Sequence, residues 1–530
     1  MPARPRRVLP WLLLRLAAVL LAAGLRPMLA PAQAVQPARG RATAASPGAV
    51  PAAMAAIRAA DLKRDLYALA DDSMRGREAG TLDELRASMW LADQLRRIGV
   101  APAGPDGSYF QWWNMRRTRV STTASRVLVA GRPLTLWTDV APGAALAATV
   151  DAPTVVLADA RDTTTDVAGK VVVADLVPPP TAVRREGTNS YEYRYAATAL
   201  AAAGARLQRR GAAAVILVAD SVAEVGFAGV AAIRSRGTYD VEGGAPWLAP
   251  RAPNTTGAAA APTPVPVVLA RRALGGALRV PGQRVQLDLR LERFDAPSVN
   301  VIGVVRGADP ALRHEYLLYS AHQDHDGVRY AINGDSVWAG ADDNGSVSVA
   351  LLAIARAFVR QPGKRSVLFV YHGAEERGLL GSRYHAAHPV VPRDSIVAVL
   401  NGDMIGRNNP DSASLLGIQP PHRNSSDLVA LALRANALTG RFQLDSVWDR
   451  PTHPEGWYFR SDHVPYARMN IPAVEYSTNL HADYHTPRDK PSAIDYAKLT
   501  RMTQWMYLTG WFVANAPTRP RIDPGFHLER

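Results

Sequence analysis

From Ser298 onward, short apolar runs alternate with amphipathic ones. VNVIGVV, YLLYSA, SVLFVY, IVAVLN and IPAVEYS are nearly unbroken apolar stretches, the pattern of strands buried on both faces. Between and after them, SVSVALLAIARAFVRQ, SSDLVALALRANALTG and AIDYAKLTRMTQWMYLTGWFVANA repeat apolar residues at helical spacing. The alternation predicts an α/β domain: a mixed, mainly parallel sheet flanked by helices on both faces. In such sheets ligands bind beyond the carboxyl ends of the strands. Upstream, TLDELRASMWLADQLRRIGV predicts a helix that stops at Gly99, with Leu85, Met89, Ala92 and Ile98 on its apolar face.

Between Ser121 and Leu291 the pattern changes. TVVLAD, GKVVVADL, AAVILVAD and PVPVVLARR read as short strands, ATALAAAGARLQRRG as one helix, and the loops are rich in Pro, Gly and Thr. This predicts a small β-rich domain inserted at residues 121–291, between an N-terminal part, residues 53–120, and the main domain, residues 292–518. Residues 519–530 form a C-terminal tail, and the Ala/Pro/Gly-rich residues 35–52 a flexible leader.

The first 34 residues have a separate logic. Arg4, Arg6 and Arg7 precede the apolar run VLPWLLLRLAAVLLAAGL, followed by Ala32-Gln33-Ala34, an A-x-A cleavage pattern. This predicts a signal peptide and export to the periplasm or the extracellular space. Cleavage after Ala34 removes five arginines and takes the formal net charge from +14 to 14 − 5 = +9. No later segment is apolar enough to span a membrane. The basic residues are scattered, with no dense tract for a nucleic acid. The chain has no cysteine, so any metal site must be built from His, Asp and Glu.

All 12 histidines lie between His314 and His527, several just past predicted strand ends and beside carboxylates. AHQDHDG follows YLLYS, where His322 is a candidate ligand and Asp324 a partner for its second ring nitrogen. AGADDNGS precedes a helix and reads as a cap, a tight turn or a bridging carboxylate. HGAEERGLLGS follows VLFVY, and alternation along a strand would turn Glu375 and Glu376 to opposite faces. Asp403 ends IVAVLN, and His485 lies in ADYHTPRD after IPAVEYS. Together these loops supply histidines and carboxylates for two divalent ions, zinc foremost, with cobalt or manganese as substitutes. An H-E-x-x-H motif and a G-x-S-x-G elbow are both absent.

The order AHxD, GADDN, EE-x-GLLGS, DMIG, YHTP resembles the di-zinc exopeptidases of peptidase family M28, which include bacterial leucyl-type aminopeptidases and glutamate carboxypeptidase. The likeness covers residues 54–120 and 298–515, and the intervening segment is similar to the protease-associated (PA) domain inserted in such enzymes. The resemblance implies that His322 and Asp403 hold one zinc, Glu376 and His485 the other, and that Asp343 bridges both. It further implies Asp324 as the partner of His322, Glu375 as general base, and Tyr484 as a donor to the oxyanion. Ser461-Asp462-His463 matches a segment near the substrate pocket, without an assigned role. One departure is Val347, which stands where the family often has the last Gly of GADDNASG. The implied activity is a secreted aminopeptidase acting on peptides. A carboxypeptidase, a glutaminyl-cyclase-like enzyme and a non-enzymatic scaffold on the same fold are the alternatives.

Overall fold

The computed structural model describes residues 50–180, 191–243 and 264–529; the expected signal peptide and most of the leader lie outside these. The main domain is built on one twisted sheet. Its strands are β1 (Phe110–Val120), β2 (Leu291–Val305), β3 (Tyr316–His322), β4 (Ser366–His372), β5 (Ile396–Gly402), β6 (Ser412–Leu416) and β7 (Ala473–Ser477). Spatially they run β6-β7-β5-β3-β4-β2-β1. The four central strands, β7, β5, β3 and β4, are parallel, whereas β6 pairs antiparallel to β7, β2 antiparallel to β4, and β1 antiparallel to β2. The sheet is thus mixed, as expected, with a parallel centre and antiparallel pairs toward its edges.

Helices cover both faces. On one face pack α1 (Ala59–Leu69), α2 (Leu82–Ile98), α3 (Val347–Arg360), α5 (Ser426–Leu438) and α6 (Tyr496–Asn515), whose apolar sides share one core with the strands. On the other lie α4 (Leu380–Ala387) and the short helix His463–Arg468. The buried side of α2 is Ala87, Ser88, Leu91, Ala92 and Leu95, while Met89 is 57% exposed. The expected face was therefore displaced. Small Ala87 and Ala92 let the helix approach closely, and the bulkier Met89 is turned outward.

The chain leaves the sheet at Val120 and re-enters at Leu291, two residues paired across β1 and β2. The segment between builds a second sheet of eight strands with its own apolar cores. It carries two longer helices, Tyr191–Arg209 and Ser221–Arg234, where one was expected. Asp220 caps the second, accepting from the amides of Val222 and Ala223. A strand of this segment, Thr238–Val241, returns to the main sheet and pairs with β1. Among the described residues no helix is long and apolar enough to cross a membrane.

Candidate metal centre

Because the four central strands are parallel, their carboxyl ends align, and His322 of β3 is in register with His372 of β4. The loops that follow converge at that edge. His322 ends β3, Glu375 and Glu376 follow β4, Asp403 follows β5, and His485 comes eight residues after β7. Asp343 lies in the turn that opens α3. The wide connection from His322 to Asp343 is a hairpin, Gly327–Ile332 with Asp335–Trp338. Val347 begins α3 fully buried against Gly402, where a Cβ would lie 2.7 Å from its Cγ1.

The donor atoms fall into two groups, each within 4.8 Å internally: His325, Asp343, Glu376 and His485 in one, His322, Glu375 and Asp403 in the other. Asp343 reaches toward both. Its Oδ1 is 3.3 Å from Nε2 of His322, and its Oδ2 is 3.1 Å from Nε2 of His485. Asp403 Oδ2 approaches His322 Nε2 to 3.6 Å, and Glu376 Oε1 approaches His485 Nε2 to 3.1 Å. His322 Nε2, His485 Nε2, both ring nitrogens of His325 and Glu376 Oε1 are buried without a hydrogen bond of good geometry. Buried polar atoms are normally satisfied, so this converging set of N and O donors fits divalent cations.

His325 was not among the expected site residues. Its Nδ1 lies 2.9 Å from Glu376 Oε1, its ring meets that of His485 edge-on, and it is fully buried. The visible signal was a second histidine three residues after His322 in AHQDHDG.

Two expectations about the carboxylates change. Nδ1 of His322 donates to the backbone carbonyl of Asp324 at 3.1 Å, and the Asp324 carboxylate is 3.9 Å away. That carboxylate instead accepts from the amides of Glu375 at 2.9 Å and Glu376 at 3.4 Å, which fixes the turn bearing both glutamates. Burial lifts Asp324 to about 6. The second change concerns the glutamates themselves. β4 ends at His372, and the pair sits in a 3-10 turn entered through Ala374 at φ 56°. Their divergence comes from this turn, not from strand alternation: Glu375 Oε2 faces His322 at 3.8 Å, while Glu376 faces His325 and His485.

Burial pushes Glu375 well above the ordinary carboxylate range, with His322 opposing and Glu376 and Asp403 adding to the rise. Burial also acts to raise Asp343, and Glu376 with it, but His325, His322 and His485 around it hold it below its usual value. Asp489 receives the amides of Asp342 and Asp343. Arg77, fully buried, donates to the carbonyls of Gln323 at 2.8 Å, Leu69 at 3.3 Å, Ala339 at 2.6 Å and Gly340 at 2.9 Å, tying both ligand-bearing loops together.

The centre opens into a cavity of about 250 Å³ whose wall includes Leu379, Met404, Trp457, Phe459, Arg460 and Tyr484. The Tyr484 ring stacks on His485 with centroids 3.9 Å apart, and its hydroxyl accepts from Arg460 Nη2 at 2.9 Å. Asp462 and His463 are fully buried beneath the wall, where His463 Nδ1 lies 3.0 Å from Glu475.

Residues 300–509 match the model described as Peptidase family M28. Aminopeptidase YwaD of Bacillus subtilis is 27% identical over 263 residues, 48% of this chain and 51% of that protein. Leupeptin-inactivating enzyme 1 of Streptomyces exfoliatus is 38% identical over 119 residues, 22% of this chain and 24% of its own. This chain thus spans about half or less of the curated relatives it matches. Among solved structures, BSAP, a zinc aminopeptidase from Bacillus subtilis, superposes with a TM-score of 0.53 at 20% identity, covering 88% of this chain and 97% of its own. An aminopeptidase from Aneurinibacillus sp. strain AM-1 gives 0.52 at 17% identity, covering 89% and 97%. These two likenesses concern the fold.

Proposed function

We propose that this chain, whose residues 300–509 match Peptidase family M28, belongs to that family of hydrolases and is a secreted, zinc-dependent aminopeptidase that releases N-terminal residues from peptides. The observation that carries the reading is Asp343, whose two oxygens face histidines of two separate donor groups. His322 and Asp403 would hold one ion, Glu376 and His485 a second, with Asp343 between them and His325 a further donor beside Glu376. Two such ions, when bound, supply Lewis-acid polarisation of a peptide carbonyl and acidify water.

The chain's own residues do the rest. Glu375 takes the proton of the attacking water and returns one to the leaving amine, the task its raised proton affinity suits. Tyr484 accepts an N–H from Arg460, so its own O–H remains available to donate to the oxyanion. Leu379, Met404, Trp457 and Phe459 shape an apolar recess for the N-terminal side chain. The aminopeptidase direction is supported by the names of the relatives. Export is supported by the N-terminal sequence, and the inserted segment is read as a PA-type domain.

The test uses the zinc-loaded full chain. A leucyl anilide should be cleaved, its N-acetyl form should not, and chelation should abolish turnover. Glu375→Gln should keep the metal and lose turnover, whereas Glu376→Ala should bind metal more weakly. Equal rates on free and blocked substrates would refute the aminopeptidase reading. Full activity in both variants would remove these residues from the mechanism.

A further inference from the structure

The cavity wall holds an arginine for which the mechanism above provides only a supporting task. Arg460 stacks on Trp457, its guanidinium 4.7 Å from the ring centroid, and its side chain keeps 30% of its surface open. One N–H goes to Tyr484, and another goes to Glu455 at 2.9 Å. Glu455 does not neutralise it fully. The same carboxylate also receives Arg194 at 3.2 Å, from helix Tyr191–Arg209 of the inserted segment. Two guanidinium groups therefore share one carboxylate, and a positive charge is left over at the cavity.

The other charged groups on that wall are already committed. Among the described lining residues the acids are Asp343, Glu375, Glu376 and Asp403, all of them in the donor groups. Arg460 lies one phenol ring from His485, because Tyr484 stacks on that histidine while its hydroxyl meets the guanidinium. In a dipeptide the terminal carboxylate lies one residue beyond the scissile carbonyl, a step of about 3.5 Å. A planar fork with unspent N–H groups matches a carboxylate in shape and charge.

We propose that Arg460 forms an anion subsite that seats the free carboxylate of a short peptide and makes dipeptides the preferred substrates. The proposal rests on the aminopeptidase reading and narrows its substrate class. The water and the peptide bond are the same reactants; what changes is the anchoring of the leaving residue.

Leu-Leu, Leu-Leu amide and N-acetyl-Leu-Leu are to be compared on the zinc-loaded full chain. Wild type should favour the free acid over the amide by about tenfold or more in kcat/KM, a ratio equivalent to ~1.4 kcal/mol. Arg460→Met should remove that preference chiefly by raising KM for Leu-Leu, and Arg460→Lys should restore part of it. Tyr484→Phe should slow both substrates alike through kcat, so it separates support of the phenol from binding of the carboxylate. Equal wild-type rates on acid and amide would overturn the proposal without any variant being made. So would an Arg460→Met loss that is the same for both. Rapid cleavage of N-acetyl-Leu-Leu would instead defeat the aminopeptidase reading, a separate outcome.

Discussion

Replacing Arg77 by methionine tests whether the metal centre is held from behind. The side chain is 0% exposed and supplies donors to four carbonyls, two of which, those of Gln323 and Gly340, belong to the loops bearing His325 and Asp343. Each carbonyl left buried and unpaired costs about 1–3 kcal/mol. Four would sum to roughly 4–12 kcal/mol if none found another partner. Against that, the variant no longer dehydrates a guanidinium, which burial holds down to about 10 and which is still protonated at neutral pH. The unpaired carbonyls outweigh the dehydration avoided, which leaves a net loss on the order of a few kcal/mol. Urea unfolding of the metal-free chain, followed by tryptophan fluorescence, should show a clearly lower midpoint. Zinc affinity, measured by competition with a chromophoric chelator, should fall as well, because both loops relax. Arg77→Lys keeps the charge but cannot reach all four carbonyls, and should fall between. An unchanged midpoint together with unchanged zinc affinity in Arg77→Met would refute the reasoning.

Three further outcomes are expected. Gly76 has φ +69°, and a Cβ there would collide with the carbonyl oxygen of Trp338 and sit 2.8 Å from that of Gly327; Gly76→Ala should cost ~1–3 kcal/mol from the backbone conformation alone and more from the clash, read as a lower thermal midpoint. His325→Ala should weaken zinc binding by at least about 10-fold, the lower bound for losing a group next to a ligand, and an unchanged chelator titration would remove His325 from the centre. Burial acts to lower His422, but Asp449 at 2.9 Å and Glu529 at 2.8 Å outweigh it and hold its pKa above 6.5. The stability this contributes is complete below pH 6.5 and is lost as pH rises through the folded-state value. Hydrogen exchange in the C-terminal tail, corrected for intrinsic rates, should therefore show falling protection at alkaline pH in wild type and little dependence in His422→Gln.

The parallel centre was readable from the chain because buried strands leave unbroken apolar runs, and the loops of the candidate site follow them directly. Where the reading failed, the information was not local. The exposed side of α2 carries Met89 because packing there favours small residues, a choice set by the neighbouring helices. Helix Ser221–Arg234 is so rich in Ala, Gly and Val that its periodicity is faint, though Asp220 was a visible cap signal. Arg77 and Arg460 come from segments with no motif of their own, and Asp489 closes the ADYHTPRD motif without being singled out; all three acquire meaning only when distant segments meet. Glu375 and Glu376 both fall within the donor groups, but the strand supposed to orient them stops at His372.

The pairing of Val120 with Leu291 bears on how the chain reaches its fold. Between them lie 290 − 120 = 170 residues, so as a flexible loop the intervening chain would be slow to bring β1 to β2. The inserted segment has its own cores, and eight of its strands pair among themselves, while Thr238–Val241 joins the main sheet. Once it closes, the two ends are delivered side by side and the effective loop shrinks to a few residues. By the logarithmic dependence of closure entropy on loop length, that is a gain of ~3 kcal/mol for the last step. Emerging from the ribosome before β2, the insert acts as the ligature that lets the main sheet knit across its own interruption.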